Sequence, residues 1–277
     1  MTCAQAAKTS PLVNEFLRAG KAADCPVIDA HAHYGPYQGI YFPKPDGAGM
    51  LEVMDRAGVR LCISAPHAAL VEPRRGNPVI VEAARAHPGR FLAYLSVNPN
   101  YPRELAEDVA GLDQRDPSIV GIKMHPGWHE YPLSGPNYAP AFEWAQANRF
   151  PILSHTWGHS PTCGPQEVRK VAERYPDVPF LMGHSCFGEF EEAIHLAATF
   201  PNVYLELTAA YRVSGLIERM VAIAGSTKVL FGSDLPWFDE HFGIGCIIMS
   251  HISDDDRRNI LYRNAERVFG IEPAKDA

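Results

Sequence analysis

The sequence has no apolar run long enough to span a membrane as a helix. Its six cysteines, Cys3, Cys25, Cys62, Cys163, Cys186 and Cys246, contain no Cys-x-x-Cys pair. It has no excess of basic charge: 25 Lys and Arg stand against 32 Asp and Glu, giving a net charge of −7. The first absence argues against a helical membrane protein. The second removes the zinc-ribbon and dithiol redox readings, and 277 residues that are 46% hydrophobic supply a core that needs no disulfide staples. The third leaves no reason to expect a nucleic-acid or anionic-membrane partner. Residues 1–10 carry Lys8 but no apolar segment of a secretory signal, so reduced thiols in a cytoplasmic setting are the expectation. No solenoid period, low-complexity stretch or interior linker divides the chain, which reads as one domain over 1–277.

What the chain does have is regular alternation. Apolar runs of strand length fall at Val27–His33, Val59–Ala65, Arg90–Val97, Ile119–His125, Pro151–Trp157, Val178–His184, Val203–Thr208 and Lys228–Asp234. Several are nearly continuous, as strands covered on both faces should be. Helical patterns lie between them, among them Met50–Ala57, Val79–Ala86, Glu104–Leu112, Ala139–Asn148, Glu167–Tyr175, Phe190–Phe200 and Ser214–Ala224. This alternation predicts an α/β fold, a (β/α)8 TIM barrel with its core over 27–270. A short N-terminal extension carries one helix, Pro11–Ala19, stopped by Gly20. A C-terminal helix, Arg257–Phe269, is opened by a capping-box-like Ser253 and Asp256 and stopped by Gly270 and Pro273. A doubly wound open sheet would want a Gly-rich phosphate turn after the first strand, where this chain has His-Ala-His-Tyr-Gly-Pro.

In such a barrel the chemistry sits where the strands end. Strand one ends in His31 and His33, which strict alternation places on one side together with Asp29. Strand four ends in Lys123 and His125, strand five in His155, strand six in His184 and strand eight in Asp234. Lys and Asp are almost never buried without partners, so their convergence at one end of a packed barrel calls for a cation among them. Imidazole is the commonest ligand for a transition metal.

These segments, in order, resemble the amidohydrolase superfamily, and within it the amidohydrolase-related branch that includes amino-carboxymuconate-semialdehyde decarboxylase. The resemblance rests on Ile28-Asp29-Ala30-His31-Ala32-His33, Gly121-Ile122-Lys123-Met124-His125-Pro126, Pro151-Ile152-Leu153-Ser154-His155, Met182-Gly183-His184, Val229 through Pro236, and Asn264-Ala265. It implies one divalent metal, zinc with manganese or iron as alternatives, held by His31, His33, His155 and Asp234. It implies that His184 orients a water or moves a proton, and that Asp234 doubles as ligand and proton acceptor. In binuclear members a lysine at strand four is carboxylated. The related mononuclear branch has a similar Lys-x-His-Pro segment, and the expectation here is one metal, with Lys123 or His125 contacting substrate. For His125, a core histidine beneath the site is an almost equal alternative. A homodimer is implied by the resemblance alone.

Trp128, Trp157 and Trp237 follow strands four, five and eight and suggest an apolar collar for a planar substrate, or rim packing. The loop Gly35–Gly47, rich in Gly, Pro and aromatics, suits a lid. Arg212, after strand seven, is a candidate holder for a substrate carboxylate, although an exposed loop arginine is the commoner case at such a place. His67, His129, His159 and His241 fall on the same rim, where a loop histidine is more often solvated. The leading expectation is hydrolysis of a small organic molecule by a metal-activated water. The rival is non-oxidative decarboxylation of a small aromatic or unsaturated acid, with hydration as a third use of the same site.

Overall fold

A computed structural model describes residues 10–22, 24–114 and 116–272. The tail 1–9 with Cys3, and residues 273–277 with Pro273, lie outside the described residues. Eight parallel strands run in sequence order: β1 (Val27–Ala32), β2 (Val59–Ser64), β3 (Phe91–Ser96), β4 (Ile119–Met124), β5 (Ile152–Trp157), β6 (Phe180–Phe187), β7 (Val203–Glu206) and β8 (Val229–Leu230). β8 is short, yet the segment after it closes the barrel on β1. Ala30 N donates to Phe231 O at 3.0 Å, Asp234 N to His31 O at 2.8 Å and His33 N to Leu235 O at 2.7 Å. The predicted TIM barrel is the observed fold.

Two cores hold it. The larger lies between the sheet and the surrounding helices. The smaller fills the barrel with Ile28, Leu61, Tyr94, Leu153, Leu181 and Leu230, and Ala265 and Phe269 of the C-terminal helix close it where the strands begin. That helix opens on the Ser253–Asp256 capping box and passes through a π segment, Asn259–Arg263. Asn264 Nδ2 donates to Ser226 O and Val229 O, a structural role. The opposite end is left for polar side chains.

One local expectation fails. Strict alternation puts Asp29 beside His31, but the register of β1 on β2 shifts between Asp29 and Ala32. Such irregularities re-aim side chains near functional sites. Asp29 turns to Glu240 on the outer helix Glu240–Met249, while His31 reaches β4 and β7 inside. No helix among the described residues is long and apolar enough to cross a membrane.

Candidate metal centre and active-site cavity

His31, His33 and Asp234 present one ligand atom each within 4.8 Å of one another. The distances from Asp234 Oδ1 are 3.1 Å to His33 Nε2 and 3.6 Å to His31 Nε2. The other ring nitrogens decide what these atoms are. His33 Nδ1 lies 3.0 Å from Ala65 O, which only accepts, so Nδ1 carries the hydrogen. His31 Nδ1 lies 2.8 Å from Glu206 Oε2 and donates to it. In neutral rings both Nε2 atoms are therefore lone pairs, and they face a carboxylate oxygen that makes no hydrogen bond. No hydrogen lies between His33 Nε2 and Asp234 Oδ1, and the one that reaches His31 Nε2 comes from Lys123 Nζ, itself a cation; three converging acceptors of this kind fit a divalent ion. Burial holds His31 well below the usual imidazole range.

The cationic group beside them is Lys123, 1% exposed, whose Nζ donates to His31 Nε2 at 2.6 Å. Burial brings its pKa down to about 8, with Asp234, Glu206 and Asp29 opposing. Beside it stands His184, which burial lowers to about 4. Its Nδ1 is buried and has no hydrogen-bond partner among the described residues.

The backbone at these points is bent to purpose. His184, Ser185 and Cys186 take φ of +66°, +49° and +48°, and Asp234 takes +69°. Left-handed backbone costs a non-glycine residue roughly 1–2 kcal/mol. The turn after His184 is held by Thr156 Oγ1, which accepts from Cys186 N, and by Ser185 Oγ donating to Glu206 O. Asp234 is held from below. Ser233 N and Oγ both donate to Asp29, whose Oδ1 also accepts from His31 N.

Above the ligands opens a cavity of about 280 Å³, lined by these groups with His67, His125, His155 and the three rim tryptophans. One wall is a run of nearly parallel rings. His155 stacks on Trp157 at 2° and on His125 at 12°, and His125 on Trp128 at 22°. Trp237 faces them, its Nε1 donating to His67 Nε2 at 2.9 Å. Tyr37, from the loop after β1, lies among Trp128, Trp237 and His67.

A family model described as amidohydrolase matches residues 28–271. The chain belongs to the amidohydrolase family. Among solved structures it is similar to a 2,6-dihydroxybenzoate decarboxylase complexed with 2,6-dihydroxybenzoate (18% identity, TM-score 0.73, covering 89% of this chain and 99% of that one). It is similar to an uncharacterised TIM-barrel protein from Bordetella bronchiseptica (19%, TM-score 0.75, 88% and 98%). It is also similar to a dihydroxybenzoic acid decarboxylase from Polaromonas with bound manganese and 2-nitroresorcinol (17%, TM-score 0.72, 90% and 98%). At these identities the likeness establishes the fold. Protein fluG of Emericella nidulans is 30% identical over a stretch covering 39% of this chain, and the chain spans only 15% of that protein's length.

In this amidohydrolase the strand-end residues read from the sequence mostly meet. His155 lines the same cavity but stands outside the tight triad, edge-on to His184 with ring centres 4.6 Å apart. His125 lines the cavity and also caps the short helix after β4, its Nδ1 accepting from Trp128 N. Arg212 does not join them: it is exposed and lies over the Phe187 ring, because the chain after β7 curls into a 3₁₀ turn. His67 is not solvated as expected. It is 3% exposed, starts the helix His67–Val71 and stacks on His33. His129 is buried too, pairing with Leu70 O and Tyr138. His159 is exposed, as expected. Sequence reasoning missed Glu206, which is fully buried. The available signal was an acid at the end of an apolar strand. Burial raises its carboxyl, with His184 and the Thr208 amide opposing.

Proposed function

We propose that this amidohydrolase is a metal-dependent, non-oxidative decarboxylase of a small planar carboxylic acid, aromatic or conjugated. The observation that carries the reading is the polarity of the cavity. Its floor combines the metal-ready triad with Lys123, and its walls are flat, stacked rings. A planar anion fits with its carboxylate on the floor and its ring along His155 and Trp157. About 280 Å³ lies near the lower end of ligand-site volumes, in keeping with a single ring.

A divalent ion at His31, His33 and Asp234, with His155 as a further donor, supplies Lewis acidity toward substrate oxygens. Zinc suits these donors, and manganese, bound in the Polaromonas relative, suits them also. The chain's own groups do the rest. Lys123 binds and orients the carboxylate through a charge-assisted hydrogen bond. As the carbon–carbon bond to the carboxylate breaks, carbon dioxide leaves and the ring carbon keeps the electron pair. A proton must then reach that carbon. His184, with its unpartnered Nδ1, is the group assigned to pass it. Burial lowers the His184 pKa to about 4, and the negative charge of a bound carboxylate acts against that lowering. The rim tryptophans and Tyr37 exclude water.

Hydrolysis, the leading expectation from the sequence, would use the same triad. It has no need of a buried cation beside the metal or of a flat slot. The decarboxylases among the structural neighbours support the same choice. The test is a screen of hydroxylated benzoic and unsaturated acids beside their esters, lactones and amides. Carbon dioxide release with solvent deuterium entering the ring is expected. Incorporation of labelled solvent oxygen without carbon dioxide release would refute the reading.

A further inference from the structure

Glu206 takes no part in the chemistry just proposed, yet everything that reaches its side chain is a donor. Oε1 accepts from Thr208 N at 2.6 Å. Oε2 accepts from His31 Nδ1 at 2.8 Å and from His184 N at 3.1 Å. The side chain is fully buried, so none of these partners can be replaced by bulk water. The chain also clears a place for it. A Cβ on Gly232 would stand 2.2 Å from Glu206 Oε1.

We propose that Glu206 is the positioning residue of the metal centre, fixing His31 as a metal-ready tautomer and pinning the backbone of His184 with the same carboxylate. A hydrogen bond to one ring nitrogen sets which nitrogen is left to bind an ion. Here Oε2 keeps the hydrogen on His31 Nδ1 and leaves the Nε2 lone pair facing Asp234 Oδ1 at 3.6 Å, where Lys123 Nζ, at 2.6 Å, holds it until an ion takes that place. The bond to His184 N steadies a residue at φ +66°, at the start of three left-handed residues. One buried group thus ties the binding of the ion to the placing of the residue assigned to the proton.

The geometry also says why the residue must be an acid. Glutamine has the same shape, but one terminal oxygen becomes a donor. If the amide nitrogen took the Oε1 place, it would face Thr208 N–H. If it took the Oε2 place, it would face the N–H groups of His31 and His184. In the second case the conflict at His31 is relieved by moving the ring hydrogen to Nε2, which removes the lone pair from the ion's position.

The inference rests on the metal reading of His31, His33 and Asp234, and not on the choice of reaction. The experiment is chelator competition for zinc and cobalt on wild type, Glu206→Gln and Glu206→Asp. It is read beside imidazole nitrogen NMR of His31 in the metal-free proteins and the visible band of the cobalt forms. The isosteric Gln variant should lose about 10–100-fold in affinity, with His31 shifted to the Nε2–H form. Asp is shorter but accepts on both oxygens, so it should lose less. A purely space-filling role predicts the reverse order, because Asp leaves a void and Gln does not. Gln binding as well as wild type, or better than Asp, overturns the proposal. If the Gln protein does not fold, the Asp protein decides: an Nδ1–H His31 supports the proposal, and an Nε2–H His31 overturns it. Metal content unchanged in His31→Ala would instead remove the metal reading itself, a separate and recognisable failure.

Discussion

Gly232→Ala adds one methyl group at the point where β8 faces β1 and β7. The new Cβ would stand 2.2 Å from Glu206 Oε1 and 2.6 Å from His31 Cβ, where ordinary contacts begin at 3.4 Å. Neither neighbour is the loose end of a surface side chain. Glu206 is tied to three N–H donors, and the His31 backbone is tied through its N to Asp29 and through its O to Asp234 N. Relief needs a shift of roughly 1 Å, several times the ~0.2 Å by which ligand distances in a metal site vary. Overpacking costs about 1–3 kcal/mol, and loosening the buried His31–Glu206 bond about 1–3 more. A loss of about 2–6 kcal/mol against a typical total of about 5–15 leaves a weakened protein that can still fold. The measurements are urea midpoints of the metal-free protein and metal per chain by elemental analysis. Gly111→Ala is the control, because that residue has ordinary φ of −78° and open space around its Cβ position. The variant should show a lower midpoint with an unchanged slope, and a fall in bound metal larger than its stability loss explains. Wild-type midpoint and full metal content in Gly232→Ala would refute the packing argument and, with it, the crowded contact between Glu206 and β8.

Lys123→Met removes the cation on the cavity floor. Losing a hydrogen bond to a charged group costs about 1.5–3 kcal/mol, so KM for a carboxylate substrate should rise roughly 10–100-fold, and an unchanged KM would move the carboxylate elsewhere. Lys123 should also carry no carbamate, because its Nζ donates to His31 Nε2; an intact mass showing added carbon dioxide, with two metals per chain, would contradict this. His31→Ala and Asp234→Ala should each lower bound metal from about one ion per chain, as elemental analysis will show. His129 gives the pH dependence: burial lowers its pKa from 6.5 to about 4, so its stabilisation is complete above pH 6.5 and is lost as pH falls toward 4. By pH 5 the His129 share of the loss is about 2 kcal/mol, so in urea titrations the fall in stability from pH 6.5 to 5 should be smaller by about that amount in His129→Gln, whose amide can keep both pairings without titrating, while the other buried histidines keep their part of it.

The barrel was legible in the sequence because its strands are covered on both faces. Runs such as Val59-Arg60-Leu61-Cys62-Ile63 stand out against the helical patterns between them, whatever the loops do. His31, His33, Lys123, His184 and Asp234 were legible for the same reason, as ionisable residues at the ends of apolar runs. What escaped depends on register and on partners distant in sequence. The shift in β1 sends Asp29 to the outer layer, and nothing in the spacing of Asp29, His31 and His33 marks it. Which of Arg212 and His67 would enter the cavity was not legible, because the loops after β7 and β2 decide it. The first curls away as a 3₁₀ turn, and the second becomes a helix that carries its histidine inward.

Gly232-Ser233-Asp234 shows how much a strand end conceals. Read as sequence, it is a turn with one ligand at its close. In the folded chain all three residues answer to β1, each in a different way, and Gly232 answers to β7 as well. Gly232 must lack a side chain because Glu206 of β7 and His31 of β1 meet there. Ser233 gives its N–H and hydroxyl to Asp29, which in turn accepts from the His31 amide, so the two ligand-bearing segments are tied through one carboxylate. Asp234 takes φ of +69°, a conformation glycine adopts with less strain, because the site needs its carboxylate there. The strain is sustained by its N–H bond to His31 O and by the bonds of its neighbours. Loosening any one of the three should therefore be felt at His31, and metal affinity should be more sensitive than fold stability to substitutions at this turn.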